Sequence, residues 1–501
     1  MTILAIDQGT TGTTCLVVEV DGRILGRAYR EIPQHYPRPG WVEHDPRDLL
    51  DRTVEAAREA IQNARVTPKA IGIANQRETV VLWDRKTGEP LGRAIVWQDR
   101  RTADRCLELR GEAERISQLT GLVTDPYFSG TKLEWMLQDK AVRGRAERGE
   151  LAAGTVDSWL IWSLTGGSVH ATDPTNASRT MLYDIDARAW SGELCDLLHV
   201  PRSILPEVRR SSGSFGVAEK SFLGAAIPIM GVAGDQQAAL FGQGCHAPGT
   251  SKNTYGTGAF LLLNAGATRP EGGGGLLTTV ACDARGAPVY ALEAAIFIAG
   301  AAIQWLRDGL GLLQTAAQSE DLARGTSSTD GVYFVPALVG LGAPHWEPRA
   351  RGTIVGLTRG TTRAHLVRAA LEAMAYSTAD VLDVMQARAR LGGRTGPEAR
   401  MTTKSPLRVD GGATENDWLM QFQADVLDTP VERPEQIETT ALGAAGLAGL
   451  AAGVWPDVES FQATRTFTRF VPGVGREGAR AGASEWARAV RAALSWARED
   501  V

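Results

Sequence analysis

Asp7-Gln8-Gly9-Thr10-Thr11-Gly12 follows a short apolar run, Ile3 to Ile6, with a carboxylate and then small, hydroxylated residues. Phosphate oxygens need close backbone N–H donors, which glycine permits, and threonine hydroxyls add further donors. A carboxylate facing phosphate would repel it, so Asp7 suits a hydrated Mg2+ beside the phosphates better than a direct contact. Taken alone, the segment also reads as a hairpin turn with an aspartate at a strand end. Tyr255-Gly256-Thr257-Gly258 could hold the other end of the same polyphosphate. Val409-Asp410-Gly411-Gly412-Ala413 leaves a strand and could admit an adenine ring against bare backbone. Each of these is also a common tight turn, and the three gain force only if one ligand joins them.

Residues that could bind the acceptor of a phosphoryl group are written elsewhere. Asn75-Gln76-Arg77-Glu78 follows the apolar run Ile71 to Ala74, so a cation and an anion leave a strand end side by side. A polyol hydroxyl both donates and accepts, and an Arg/Glu pair satisfies both halves, although the same pair could be a surface ion pair. Gly234-Asp235-Gln236-Gln237 follows the run Ile227 to Ala233 in the same way. An aspartate there could take a hydroxyl proton as the oxygen attacks phosphorus, or could merely cap the helix Gln236 to Phe241.

Several familiar signatures fail on inspection. Gly244 to Ser251 has P-loop glycine spacing, but Thr250 stands where the lysine is required. Gly473-Val474-Gly475-Arg476-Glu477-Gly478 satisfies G-x-G-x-x-G, yet no βαβ unit follows it. Glu43-His44-Asp45 could ligate a metal, but a solvated loop explains it as well. No His-Arg-Asp or Asp-Phe-Gly set of protein kinases occurs.

The elements that must position these residues follow from periodicity. Ile3 to Asp7, Thr14 to Val20 and Arg23 to Glu31 read as an antiparallel meander, with a hairpin at Asp21-Gly22. Ala70 to Ala74 and Val80 to Asp84 read as strands, while Asp45 to Arg65 and Thr131 to Arg148 have helical spacing. Such alternation predicts an α/β domain. Lys252 to Leu263 repeats the opening strand and Gly/Thr turn, which suggests an internal duplication with a boundary near Pro248-Gly249. Two domains, 1–248 and 249–501, are therefore expected, as the 501-residue length also favours. Gly392 to Pro406 reads as an exposed insertion, Ala441 to Gly453 as a closely packed Ala/Gly helix, and Glu485 to Glu499 as an amphipathic helix.

Composition narrows the class further. A net charge of −5, with arginines interleaved among acids, argues against nucleic acid as a partner. The five cysteines are widely spaced, without a Cys-x-x-Cys pair, so neither a disulfide framework nor a zinc site is expected. No apolar stretch is long enough to insert in a membrane, and no leader is seen, so a cytoplasmic location is expected.

Assembled, these residues resemble the FGGY sugar kinases, and among them the glycerol kinases. The resemblance runs nearly full length, through Ala5 to Thr11, Tyr36 to Pro46, Asn75 to Thr79, Asp125 to Lys132, Thr175 to Leu182, Ala233 to Phe241, Asn253 to Gly258, Gly340 to Pro344 and Gly356 to Gly360. It implies two actin-like, ribonuclease H-like ATPase domains with a nucleotide cleft between them. It also implies phosphorylation of glycerol by ATP, with Mg2+, to sn-glycerol 3-phosphate and ADP, in a homodimer or homotetramer. Carried over position by position, Arg77, Glu78, Tyr127, Asp235 and Gln236 would bind the glycerol hydroxyls, and Trp97 and Phe260 its carbon edge. Asp235 would be the general base and, with Asp7, a metal ligand. Thr10, Thr11, Gly12 and Thr257 would contact the ATP phosphates, and Gly300, Gln304, Gly412 and Asn416 the rest of the nucleotide.

This chain departs from the resemblance in three places. Thr14 stands where many glycerol kinases carry an arginine, and Glu415-Asn416-Asp417 replaces a frequent Asn pair while keeping Asn416. Lys220 to Ala226 lacks the arginine of forms inhibited by fructose 1,6-bisphosphate, so weak or absent inhibition is expected. Rival readings are a kinase for another polyol or ketose, and an actin-like ATPase without polyol activity. The second has no use for the Arg77, Glu78 and Asp235 set.

Overall fold

A computed structural model of the chain describes residues 1–391 and 405–498. The described chain forms two units. The first comprises Met1–His246, Thr278–Ala291 and Glu438–Arg465, and the second Ala247–Leu277, Leu292–Ile437 and Thr466–Val501. Except for its last two residues, the insertion expected at Gly392 to Pro406 lies outside the described residues.

The first unit is built on a six-stranded sheet in the order Val217–Ala218, Ile227–Gly234, Ala70–Asn75, Thr2–Gln8, Gly12–Glu19, Ile24–Glu31. The expected meander supplies its antiparallel half, and Ala70–Asn75 runs parallel to both Thr2–Gln8 and Ile227–Gly234. Alternate residues of the first strand enter different cores. Leu4 and Ile6 pack in the core of the helix Pro46–Ala64, and Ile3 and Ala5 in that of the helix Thr439–Ala451. Burial on both faces explains why these strands read as continuous apolar runs.

Glycine sets the close approach of the Ala/Gly helix Thr439–Ala451. A Cβ on Gly72 would lie 2.1 Å from the Ala444 carbonyl oxygen, and one on Gly231 would lie 2.5 Å from the Ala448 nitrogen. Larger residues at either position would push the helix off the sheet. The helix expected over Thr131 to Arg148 is instead two helices, Ser129–Met136 and Lys140–Glu147. The break has a local cause, since Asp139 caps the second helix by accepting from the Ala141 and Val142 N–H groups.

The second unit repeats the arrangement. Ser251–Tyr255 pairs antiparallel with Ala259–Gly266 and parallel with Leu407–Asp410, as Thr2–Gln8 does with Gly12–Glu19 and Ala70–Asn75. The helices Arg363–Leu391, Asp417–Leu427 and Arg476–Arg498 contribute to its core, together with Leu407, Val409 and Val431 from the strands. The last helix begins earlier than the amphipathic pattern suggested. Among the described residues, no helix is long and apolar enough to cross a membrane.

Candidate active site

Parallel register brings three strand ends into one line in the first unit. Gln8 pairs with Asn75, and Asn75 with Gly234. The segments that leave these ends, Gln8–Gly12, Gln76–Thr79 and Asp235–Gln237, therefore start from one edge of the sheet. This is where open α/β sheets present their ligand sites. The first turn is held by the Gly9 N–H donating to the Gly12 carbonyl at 2.9 Å. Gln76 ties it to the second segment, donating through Nε2 to the Gly9 carbonyl at 3.1 Å. A polar network supports the edge from below. Asn75 and Asn176 exchange amide hydrogen bonds, Asn176 also donates to Asp173, and Thr175 accepts from the Gly234 N–H.

Arg77, Glu78 and Asp235 meet at this edge. Arg77 Nε lies 3.3 Å from Asp235 Oδ1 and 3.9 Å from Glu78 Oε1, and its Nη1 donates to Gln237 Oε1 at 3.2 Å. The Arg77 and Glu78 side chains are almost fully buried, whereas that of Asp235 is 29% exposed. Asp235 opens the helix Asp235–Gly242 and accepts from the Gln236 N–H. Glu78 is held with φ at +62°, a left-handed conformation that costs a non-glycine residue about 1–3 kcal/mol. Strain of this size persists only when neighbours over-determine the geometry, and here the Ser129 hydroxyl donates to the Glu78 carbonyl at 3.1 Å. The Glu78 backbone is thus set by the fold.

An aromatic wall stands beside the charges. Trp97 donates through Nε1 to the Thr10 hydroxyl at 2.9 Å, and its ring meets that of Tyr127 edge-on at 5.6 Å. Behind Tyr127, the fully buried Lys132 donates to the Tyr127 carbonyl at 2.6 Å. Burial lowers the Lys132 ammonium to about 7, against the opposing pull of Glu78, Asp99 and Asp125.

Asp7 is the next-to-last residue of the first strand. Burial, and then the nearby charge of Asp235, lift its carboxyl to about 7. Two carboxylates that oppose each other's ionisation are the donor chemistry that a hydrated divalent cation relieves. Among the described residues, no cluster of three or more His, Cys, Asp or Glu side chains forms a metal site. Glu43-His44-Asp45 is absorbed structurally: Glu43 pairs with Arg101, His44 is buried, and Asp45 caps the helix Pro46–Ala64.

The second unit has its own cavity, of about 540 Å³, lined by Thr257, Gly300, Gln304, Gly412 and Asn416 among others. All five residues expected at the nucleotide from this half of the chain thus line one pocket. Gly300, Ile303, Gln304 and Arg307 present one face of the helix Gly300–Asp308, while Leu371 and Met374 add apolar wall from Arg363–Leu391. The Gly256–Gly258 turn is tied to that helix by the Gly300 N–H donating to the Gly256 carbonyl at 3.0 Å. A Cβ on Gly300 would lie 2.7 Å from the same oxygen, so glycine allows the approach. Asn416 caps the helix Asp417–Leu427 and donates to the Ser319 hydroxyl. Phe260 also belongs to this unit, on Ala259–Gly266 opposite Thr254.

Sequence reasoning passed over three residues at these sites. Arg179 is fully buried and donates through Nε to Glu78 Oε1 at 2.6 Å. Glu320 and Ser319 line the second unit's pocket, from a stretch whose sequence carries no motif. The G-x-G-x-x-G segment starts the helix Arg476–Arg498, but its Gly473 N–H donates to Asp425, so a carboxylate already meets it.

Comparison with known proteins agrees over the whole chain. Residues 2–242 match the N-terminal domain of the FGGY family of carbohydrate kinases, and residues 251–452 its C-terminal domain. Glycerol kinase 2 of Thermotoga maritima is 52% identical over 501 residues, covering 99% of each chain. The glycerol kinase of Carboxydothermus hydrogenoformans is 53% identical over 506 residues, again covering 99% of each. The crystal structure of Plasmodium falciparum glycerol kinase with ADP superposes with a TM-score of 0.91 at 35% identity, covering 98% of both chains. With two α/β domains, an edge of converging polar residues and full-length relatives at this identity, the chain belongs to the FGGY family of carbohydrate kinases.

Proposed function

We propose that this chain transfers the γ-phosphoryl group of ATP to a terminal hydroxyl of glycerol, yielding sn-glycerol 3-phosphate and ADP. The observation that carries the reading is the meeting of Arg77, Glu78 and Asp235 at one sheet edge, with Arg77 Nε 3.3 Å from Asp235 Oδ1. A glycerol hydroxyl donates to Glu78 and accepts from Arg77, with Tyr127 and Gln236 completing its shell. Trp97 and Phe260 take the carbon edge. A larger sugar would need these walls removed.

Asp235 accepts the proton of the attacking hydroxyl as its oxygen bonds to phosphorus and the bond to the leaving ADP oxygen breaks. Thr10, Thr11, Gly12 and Thr257 hold the phosphates, and Gly300, Gln304, Gly412 and Asn416 the nucleoside. Asp7 and Asp235 would hold a hydrated Mg2+, which supplies charge neutralisation on the phosphates when bound. Orientation and exclusion of water provide most of the remaining acceleration. We assign the acceptor site, apart from Phe260, to the N-terminal domain, 1–248, and the adenine pocket to the C-terminal domain, 249–501, less the stretches Thr278–Ala291 and Glu438–Arg465 that fold with the first unit. A cytoplasmic homodimer or homotetramer, little affected by fructose 1,6-bisphosphate, completes the reading.

The test is a coupled assay of ADP release with glycerol, dihydroxyacetone, xylulose and gluconate as acceptors. ATP consumption strictly dependent on glycerol is expected. Preference for xylulose or gluconate, or hydrolysis independent of any acceptor, overturns the assignment.

A further inference from the structure

The acceptor edge contains a cation that makes no assigned contact with substrate. Arg179 follows the short helix Pro174–Ala177, and its side chain is fully buried. A buried guanidinium is costly unless its neighbours compensate, so its partners indicate what it is for. Its Nε donates to Glu78 Oε1 at 2.6 Å, whereas Arg77 Nε lies 3.9 Å from the same oxygen. The centre of the same guanidinium stands 5.4 Å from the Tyr127 ring centroid and 5.2 Å from that of Phe128, within cation–π range of both. One planar cation therefore engages two side chains expected to touch the acceptor, from segments 101 residues distant in sequence on the Glu78 side.

We infer that Arg179 is a positioning residue for the acceptor site, fixing the Glu78 carboxylate and the Tyr127 ring in one geometry. The inference rests on the proposed acceptor role of Glu78 and Tyr127 and extends it. The Glu78 side chain is almost fully buried, so its carboxylate needs a cation beside it. Arg77 cannot be that partner alone, because it also contacts Asp235 and Gln237. Arg179 takes the carboxylate on one side and leaves Arg77 to face the acceptor and the base. Lysine would keep the charge but not the planar fork, so the two cations are not interchangeable here.

The experiment compares wild type, Arg179→Lys and Arg179→Met by steady-state kinetics against glycerol and ATP separately, with melting temperatures measured alongside. Arg179→Met is expected to raise the glycerol KM by about tenfold or more while the ATP KM moves less than about twofold. Arg179→Lys should recover part of the glycerol KM, and combining it with Glu78→Gln should give less than the sum of the two separate effects. A glycerol KM unchanged in both variants overturns the inference. So does failure of both to fold, which would make Arg179 a core ion-pair residue only. Wild-type activity separates this from the underlying reading: an enzyme active on glycerol whose variants show no glycerol KM effect refutes the positioning role alone. Wild type inert toward every polyol refutes both.

Discussion

Gly234 makes room for Arg77, since a methyl group on Gly234 would come within 2.7 Å of the Arg77 Cγ and Cδ atoms. Gly234 ends one strand and Arg77 lies two residues past the end of its parallel neighbour, and the absence of a side chain on Gly234 lets Arg77 reach Asp235. Gly234→Ala should therefore displace the arginine more than it disturbs the strand. We expect the glycerol KM to rise by on the order of tenfold, with little change for ATP. Kinetics against each substrate check this, and equal losses on both would trace the effect to general damage.

Asp235→Asn keeps the side-chain shape but removes the proton acceptor. Turnover should fall by on the order of 10²–10⁴, the usual worth of general acid–base catalysis. Nucleotide affinity, read by calorimetry with a non-hydrolysable ATP analogue, should stay within a few-fold. Near-normal turnover would remove Asp235 from the base role.

Asp7 gives stability a pH dependence with a definite sign. Its carboxyl titrates at about 7 in the folded chain against an ordinary 3.8. Between those values the folded chain holds a proton that the unfolded chain has released, so this contribution falls as pH rises and is fully lost above about 7. Asp7→Asn has no such proton to lose. In metal-free buffer it should melt above wild type near pH 8, by on the order of a few degrees, with the gap shrinking as pH falls toward 5. A gap independent of pH in thermal melts would contradict the assignment. The same variant should lose most Mg2+-dependent turnover.

Much of the acceptor edge could be read from sequence because strand ends are marked there by a change in residue type. Ile71 to Ala74 gives way to Asn75-Gln76-Arg77-Glu78, and Ile227 to Ala233 to Gly234-Asp235, so polar groups at the ends were visible before any register was known. Register itself was not, because pairing of Gln8 with Asn75 and of Asn75 with Gly234 joins segments without local signal. Arg179 was illegible for the same reason: nothing in Asn176-Ala177-Ser178-Arg179 marks a buried cation, and its partner is distant in sequence. The inclusion of Glu438–Arg465 in the first unit depends on glycine contacts, such as Gly72 with Ala444, that no periodicity reports. Where one helix was expected, Asp139 made two, because a capping side chain outweighed continuous amphipathic spacing.

Adjacent glycines in the second unit separate a folding role from a binding one. Gly411 has φ +91°, and a Cβ there would lie 2.3 Å from the Tyr255 carbonyl oxygen. Gly411→Ala should cost at least about 1–2 kcal/mol from backbone conformation alone and lower the melting temperature visibly. Gly412 lines the pocket, and a Cβ on it would meet nothing within 4 Å. Gly412→Val should therefore leave the melting temperature nearly unchanged while branched methyl groups enter the space proposed for the nucleoside. An ATP KM raised by about tenfold, with glycerol KM unaffected, is the expected signature. A Gly412→Val enzyme with normal ATP affinity would show that the nucleotide binds elsewhere, whatever happened to Gly411→Ala.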